Sequence, residues 1–146
     1  MVAKEVNIYS DDPEKAYVSD WAIETNFDLM KQDFARAIAM PGYTEESLEL
    51  VKSRFGAWLK AICNMHDSIK AKPYFGETNV ALADIVILSV FVNYAFNKSL
   101  NEPVLQQAME QVYEENATQD LKDWYKLMSG PGYFGPYLER RKKRFS

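Results

Sequence analysis

Residues Pro73 to Asn97 read PYFGETNVALADIVILSVFVNYAFN, and the second half of this stretch decides the fold. A turn-forming Pro and Gly precede the longest apolar run in the chain, Val80 to Phe96. Asp84, Ser89 and Asn93 are its polar interruptions. A helix that is apolar on nearly every face must be surrounded by other elements or by lipid. The run is short for a bilayer span, and Asp84 would sit inside it. The reading is therefore a central helix buried by amphipathic neighbours, with no transmembrane span. Asp84 falls near its first turn, where a carboxylate accepts from unpaired backbone N–H groups and favours the positive end of the helix dipole.

The segments on either side have the pattern needed to cover that helix. Asp11-Asp12-Pro13-Glu14 is a helix start, with Asp12 as cap and Pro13 at the first helical position. Ala16, Asp20, Ile23, Phe27, Met30, Phe34 and Ala37 then recur at steps of three and four. They predict one long helix ending near Met40, before Pro41-Gly42. Asp20 is the odd member, a carboxylate on the face expected to be buried. Thr44 caps a second long helix whose apolar face is Leu48, Val51, Phe55, Leu59, Ile62, His66 and Ile69, closed by Lys70, Lys72 and Pro73. After the central helix, Pro103 starts a fourth with Leu105, Ala108, Met109, Val112 and Tyr113 inward. A fifth begins near Thr118 with Leu121, Trp124, Tyr125 and Met128. Tyr133 to Leu138 is a short aromatic segment that folds back over the body. The fold class is all-α, a helical bundle around one buried helix. Residues 1–12 form an extended lead-in, 13–138 the domain and 139–146 a basic tail.

Composition agrees. A chain of 146 residues fits one domain and can bury a sizeable core. At 47% hydrophobic and 14% aromatic it is too apolar for a disordered chain. One Cys excludes an internal disulfide framework and fits an intracellular, reducing setting. The cytoplasm is favoured because the N-terminus has neither a secretion signal nor an Arg-rich presequence, and mitochondria are left open because a presequence can be cleaved off. One His and one Cys cannot build an ordinary zinc site, so no metal is expected. The net charge of −4 is uneven: the last eight residues, ERRKKRFS, carry +4, so the preceding 138 carry −8. Arg140, Arg141, Lys142, Lys143 and Arg144 would dock an acidic partner. A solvated end, or contact with RNA or an anionic membrane, are the other readings of this tail.

The residues that carry chemistry elsewhere have bland readings here. Asp84 is expected to be a structural cap rather than a catalytic acid. Cys63 and His66 share a helical face but lack a recognisable oxyanion site. Tyr9, Tyr17, Tyr43, Tyr74 and Tyr133 lie near helix starts or linkers. They would line a pocket or bury a ring with the hydroxyl wet. No phosphate-cradling Gly motif is present. The aromatics are not interleaved with a basic stripe, so no specific nucleic acid is expected. No catalytic residue is assigned.

Three segments together resemble the C-terminal helical domain of glutathione transferases. They are IYSDDPEKAYVSDWAIETNFDL (8–29), FGETNVALADIVIL (75–88) and DLKDWYKLMSGPGYFGPYL (120–138). The second is similar to the family's capping motif at the start of its buried helix, but Ala81 stands where the family places Ser or Thr. Thr78 or Asn79 could cap instead. By this resemblance Asp20 matches a position that reaches the glutathione amine, and Phe27, Met30 and Phe34 lie on the hydrophobic substrate side. The family's catalytic thioredoxin-like domain would be absent, since twelve residues precede the first helix. The four positions are then vestigial. The resemblance implies a non-catalytic interaction or structural subunit of a larger assembly, with protein partners or self-association and no cofactor. The alternative is the helical half of a glutathione-dependent transferase whose other half is on another chain, with glutathione as its cofactor.

Overall fold

A computed structural model describes residues 11–31, 33–68, 74–75 and 79–145, without the side chains of residues 31, 67–68 and 142–145. The lead-in up to residue 10, Tyr9, Lys70, Lys72, Pro73, Gly76 and Thr78 lie outside these. The regular elements among the described residues are helices: α1 Pro13–Lys31, α2 Phe34–Ala39, α3 Glu45–Ser68, α4 Leu82–Val90, α5 Pro103–Asn116, α6 Gln119–Met128 and α7 Gly135–Phe145. A single wide π turn, Phe91–Ala95, continues α4.

The central helix is enclosed as its composition requires. Ala83, Asp84, Ile87, Leu88, Val90, Phe91 and Ala95 are buried. Helix α1 packs on α4 and on α3, and α3 packs on α5. At that last contact a β-carbon on Gly56 would stand 3.6 Å from the Val112 side chain, an ordinary van der Waals separation. Phe91, the first residue of the π turn, is the hub of the core. Its ring centroid lies 5.2 Å from Trp58, 5.7 Å from Tyr113, 5.3 Å from Tyr125 and 5.5 Å from Phe96. Offset and edge-on rings at such separations add to the area they remove from water.

The helix starts follow local chemistry. The Thr44 hydroxyl accepts from the Ser47 amide at 3.0 Å, and the Ser47 hydroxyl accepts from the Thr44 amide at 2.8 Å, a reciprocal cap on α3. Asp12 accepts from the Glu14 amide at 3.0 Å ahead of α1, and Thr118 accepts from Leu121 at 3.3 Å at the start of α6.

Three expectations change. The first predicted helix is two helices, because Asp33 adopts a left-handed backbone with φ 64° and breaks the ladder between α1 and α2. The buried face of α1 is also rotated by about one residue from the expected one. Ser19, Ala22, Asn26 and Leu29 face inward, and Asp20 and Phe27 face out. The cause is tertiary: the Trp58 indole N–H on α3 donates to Asn26 Oδ1 at 2.6 Å in the interior, and the small Ser19 and Ala22 suit close helix packing. At the other end, the basic residues belong to α7, which starts at Gly135, so the boundary drawn at residue 138 falls within a helix.

Left-handed backbone costs an L-residue roughly 1–2 kcal/mol, least for Asp and Asn. Asp33→Val is therefore expected to lower stability by about 1–2 kcal/mol in urea denaturation. Asp33→Gly should change it by less than about 1 kcal/mol.

Candidate functional site

Asp84 is the most constrained polar residue in the chain. Helix α4 begins at Leu82 with Ala81 as its N-cap, which places Asp84 at the third helical position. Its Oδ2 accepts from the Ala81 amide at 2.7 Å. Its Oδ1 accepts from the Phe75 amide at 3.0 Å and from the Trp124 indole N–H at 2.7 Å. Alanine has no hydroxyl to return the bond, and the Asp84 amide donates to the Ala81 carbonyl at 3.1 Å instead. The carboxylate has no exposure to solvent. Burial pushes its pKa up, opposed by the Ala81, Phe75 and Trp124 donors and by His66 nearby. Each hydrogen bond joins a different part of the chain, which makes Asp84 a structural junction.

Cys63 and His66 are sealed in the same core, 4% and 1% exposed, with the His66 ring 4.8 Å from Phe75. Among the described residues no group of three His, Cys, Asp or Glu side chains could hold a metal. No helix among them is long and apolar enough to cross a membrane.

The four ligand-side candidates do not share a surface. Phe34 is fully buried and stacks on Phe55 at 6.3 Å, and Met30 is half-buried against the core. Asp20 and Phe27 are exposed. The tyrosines do not gather either. Tyr17 is exposed on α1 and Tyr43 in the loop before α3, whereas the buried Tyr74 shares a short hydrogen bond with the hydroxyl of Tyr133. Of the basic residues, Arg140 is exposed, while the Arg141 guanidinium donates to Asn93 Oδ1 on the π turn. The side chains of Lys142, Lys143 and Arg144 lie outside the described residues.

The rotation of α1 creates the feature that stands out on the surface. Tyr17, Trp21 and Phe27 are 65%, 41% and 55% exposed, values normal for charged residues rather than for large aromatics. Asp20, Glu24 and Asp28 are exposed beside them. At about 100° per residue these six positions fall within roughly 120° of the helix circumference. The Tyr17 and Trp21 rings lie against each other, 6.2 Å between centroids. The outer face of α1 is thus an aromatic stripe set among carboxylates. Trp21 was missed because the expected buried stripe through Ala16, Asp20, Ile23 and Phe27 does not include it. The available signal was that α1 carries apolar residues on two opposite faces.

Comparison with protein-family models, with curated proteins and with solved structures finds no match for the chain.

Replacing Asp84 by Ala leaves three buried N–H donors without an acceptor, at about 1–3 kcal/mol each. Asp84→Ala is therefore expected to cost at least about 3 kcal/mol in denaturant unfolding, and Trp124→Phe about 1–3 kcal/mol. The neighbouring Tyr74 gives a pH test. Burial, then the bond to Tyr133 and the nearby charges of Tyr133 and Asp84, raise its phenol from 10.0 to about 12. The folded chain holds this proton more tightly than the unfolded chain. Its contribution is present below about pH 10 and is lost as pH rises through about 12. Burial pushes Tyr113 and Tyr125 the same way, so the test is a difference. The stability gap between wild type and Tyr74→Phe should shrink across that alkaline window.

Proposed function

We propose that this chain is a non-catalytic interaction module, a structural or accessory subunit, built on a helical domain of the glutathione-transferase C-terminal type. The single observation that carries the interaction reading is the exposed Tyr17, Trp21 and Phe27 stripe on α1. Interface hot spots are enriched in Trp and Tyr, and aromatic residues are enriched at interfaces over the rest of a protein surface. The carboxylates of Asp20, Glu24 and Asp28 on the same face favour a protein partner whose apolar docking surface is flanked by Lys or Arg. The family assignment rests on the three resembling segments, and a buried central helix with Asp84 at its third position supports it.

A second reading follows from Asp20. Asp20 is exposed on α1, and the resemblance matches it to the position that reaches the glutathione amine, as in the helical half of a glutathione-dependent transferase completed by another chain.

The experiment is affinity purification from native extract, with light scattering on the isolated chain, for wild type and for Tyr17→Ser/Trp21→Ser/Phe27→Ser. These side chains lie outside the core, so the triple variant should keep its helical circular dichroism. It should lose the specific partner or the self-association. A hot-spot aromatic is worth about 2 kcal/mol or more, which is roughly thirtyfold in affinity for Trp21→Ser alone. A wild-type chain that is monomeric and retains no partner, or a triple variant that retains the same one, contradicts the proposal. Calorimetric binding of glutathione to the assembled complex, abolished by Asp20→Ala, would favour the second reading.

A further inference from the structure

The chemistry of the α1 face defines what its partner must carry: an apolar surface flanked by Lys or Arg. The chain holds such a surface on its own last helix. After α6 the backbone reverses in a tight turn, where the Gly135 amide donates to the Gly130 carbonyl at 2.9 Å. A β-carbon at Gly135 would stand 2.5 Å from that oxygen, so the turn closes this tightly only with glycine there. Phe134, just ahead of α7, is half-buried against the core, Leu138 is half-buried, and the Arg141 guanidinium donates to Asn93 Oδ1 on the π turn. These fastenings fix which arc of α7 faces out. Pro136, Tyr137 and Arg140 are exposed, Tyr137 at 55%. At about 100° per residue the three fall within roughly 100° of the helix circumference.

The two faces complement each other in charge and in length. Helix α1 has four acids and two lysines, a net charge of −2, whereas α7 has five basic residues and one acid, a net charge of +4. From Tyr17 to Phe27 the stripe rises about 15 Å, and the 11 residues of α7 span about 16 Å. Among the described residues, Glu24 and Asp28 on α1 and Arg140 on α7 form no ion pair within the chain. Tyr17, Trp21, Phe27 and Tyr137 are all exposed in the single chain. Helix α7 therefore does not cover the stripe of its own chain, and both faces are open to another copy. Opposite potentials across such a contact steer encounter and fix register.

We propose that the partner of the α1 stripe is a second copy of this chain, which lays Tyr137 of its α7 among Tyr17, Trp21 and Phe27 and its Arg140 against Glu24 and Asp28. The inference rests on the interaction reading of α1 and names the occupant of that face. Each copy has one surface of each kind. Two copies related by a twofold axis make the contact twice, and any other arrangement continues into a ring or filament.

The test is light scattering and sedimentation of the full chain over a concentration series, for wild type, Tyr137→Ser/Arg140→Glu and Glu24→Lys/Asp28→Lys. All four positions are exposed, so both variants should keep the circular dichroism of wild type. Wild type should exceed the mass of one chain. Each variant should associate roughly tenfold more weakly or worse, as expected for a hot-spot aromatic or for charges reversed across an interface. Mixed, the two variants should pair one to one and stop there, because each supplies the face that the other has lost. Three results would each overturn the proposal. They are a wild-type chain that stays monomeric at millimolar concentration, a Tyr137→Ser/Arg140→Glu variant that associates as wild type does and loses only binding to anionic vesicles or RNA, and variants that fail to pair when mixed. The interaction reading survives any of these if Tyr17→Ser/Trp21→Ser/Phe27→Ser still loses a partner captured from native extract, and falls with the proposal if it does not.

Discussion

One buried carboxylate organises this molecule. Asp84 accepts from the backbone of Ala81 at the start of the central helix, from the backbone of Phe75 nine residues earlier, and from the indole of Trp124 on α6. An isolated charge in a core is costly, and three convergent donors are what make it tolerable. The bonds also place the rings around them. Phe75 is held with its ring 5.5 Å from Trp124 and edge-on to it, and 4.8 Å from His66 on α3. Trp124 in turn lies 6.1 Å from Phe91, where the aromatic core converges. The junction thus sets the register of α4 against both α3 and α6.

Around that core the two ends of the molecule differ in character. The outer face of α1 offers aromatics among carboxylates, and the last helix carries the basic run. The carboxylates of α1 and the basic run of α7 therefore lie on separate helices. Recognition on α1 would be anchored by rings and tuned by charge. At α7 the Arg141 guanidinium is tied to Asn93 on the π turn. Neither surface depends on a reactive side chain, since Cys63, His66 and Asp84 are all committed to the interior.

Much of the fold was legible because it depends on local signals. The apolar run from Val80, the caps at Thr44 and Thr118, and Pro103 at a helix start all act within a few residues. What was not legible depends on distant partners. Nothing near Asn26 announces that an indole 32 residues away will take its side chain into the core. Without that contact the stripe through Ile23 and Phe27 looks like the better core face. The break at Asp33 was hidden because Asp tolerates a left-handed backbone without the Gly that usually marks one. Of the candidate site, Asp84 could be read from the start of its helix. Trp21 could not, because its exposure follows from the rotation of α1 that the Trp58–Asn26 contact fixes.

The most direct test of the Asp84 junction is native-state hydrogen exchange, followed by NMR, at the Ala81 and Phe75 amides and the Trp124 indole. If the carboxylate holds the three together, all should exchange only through global unfolding, at the rate of the most protected core amides of α3. Exchange of the Ala81 and Phe75 amides at the rate of exposed loop amides, with the α3 core still protected, would show that the fold does not depend on this junction.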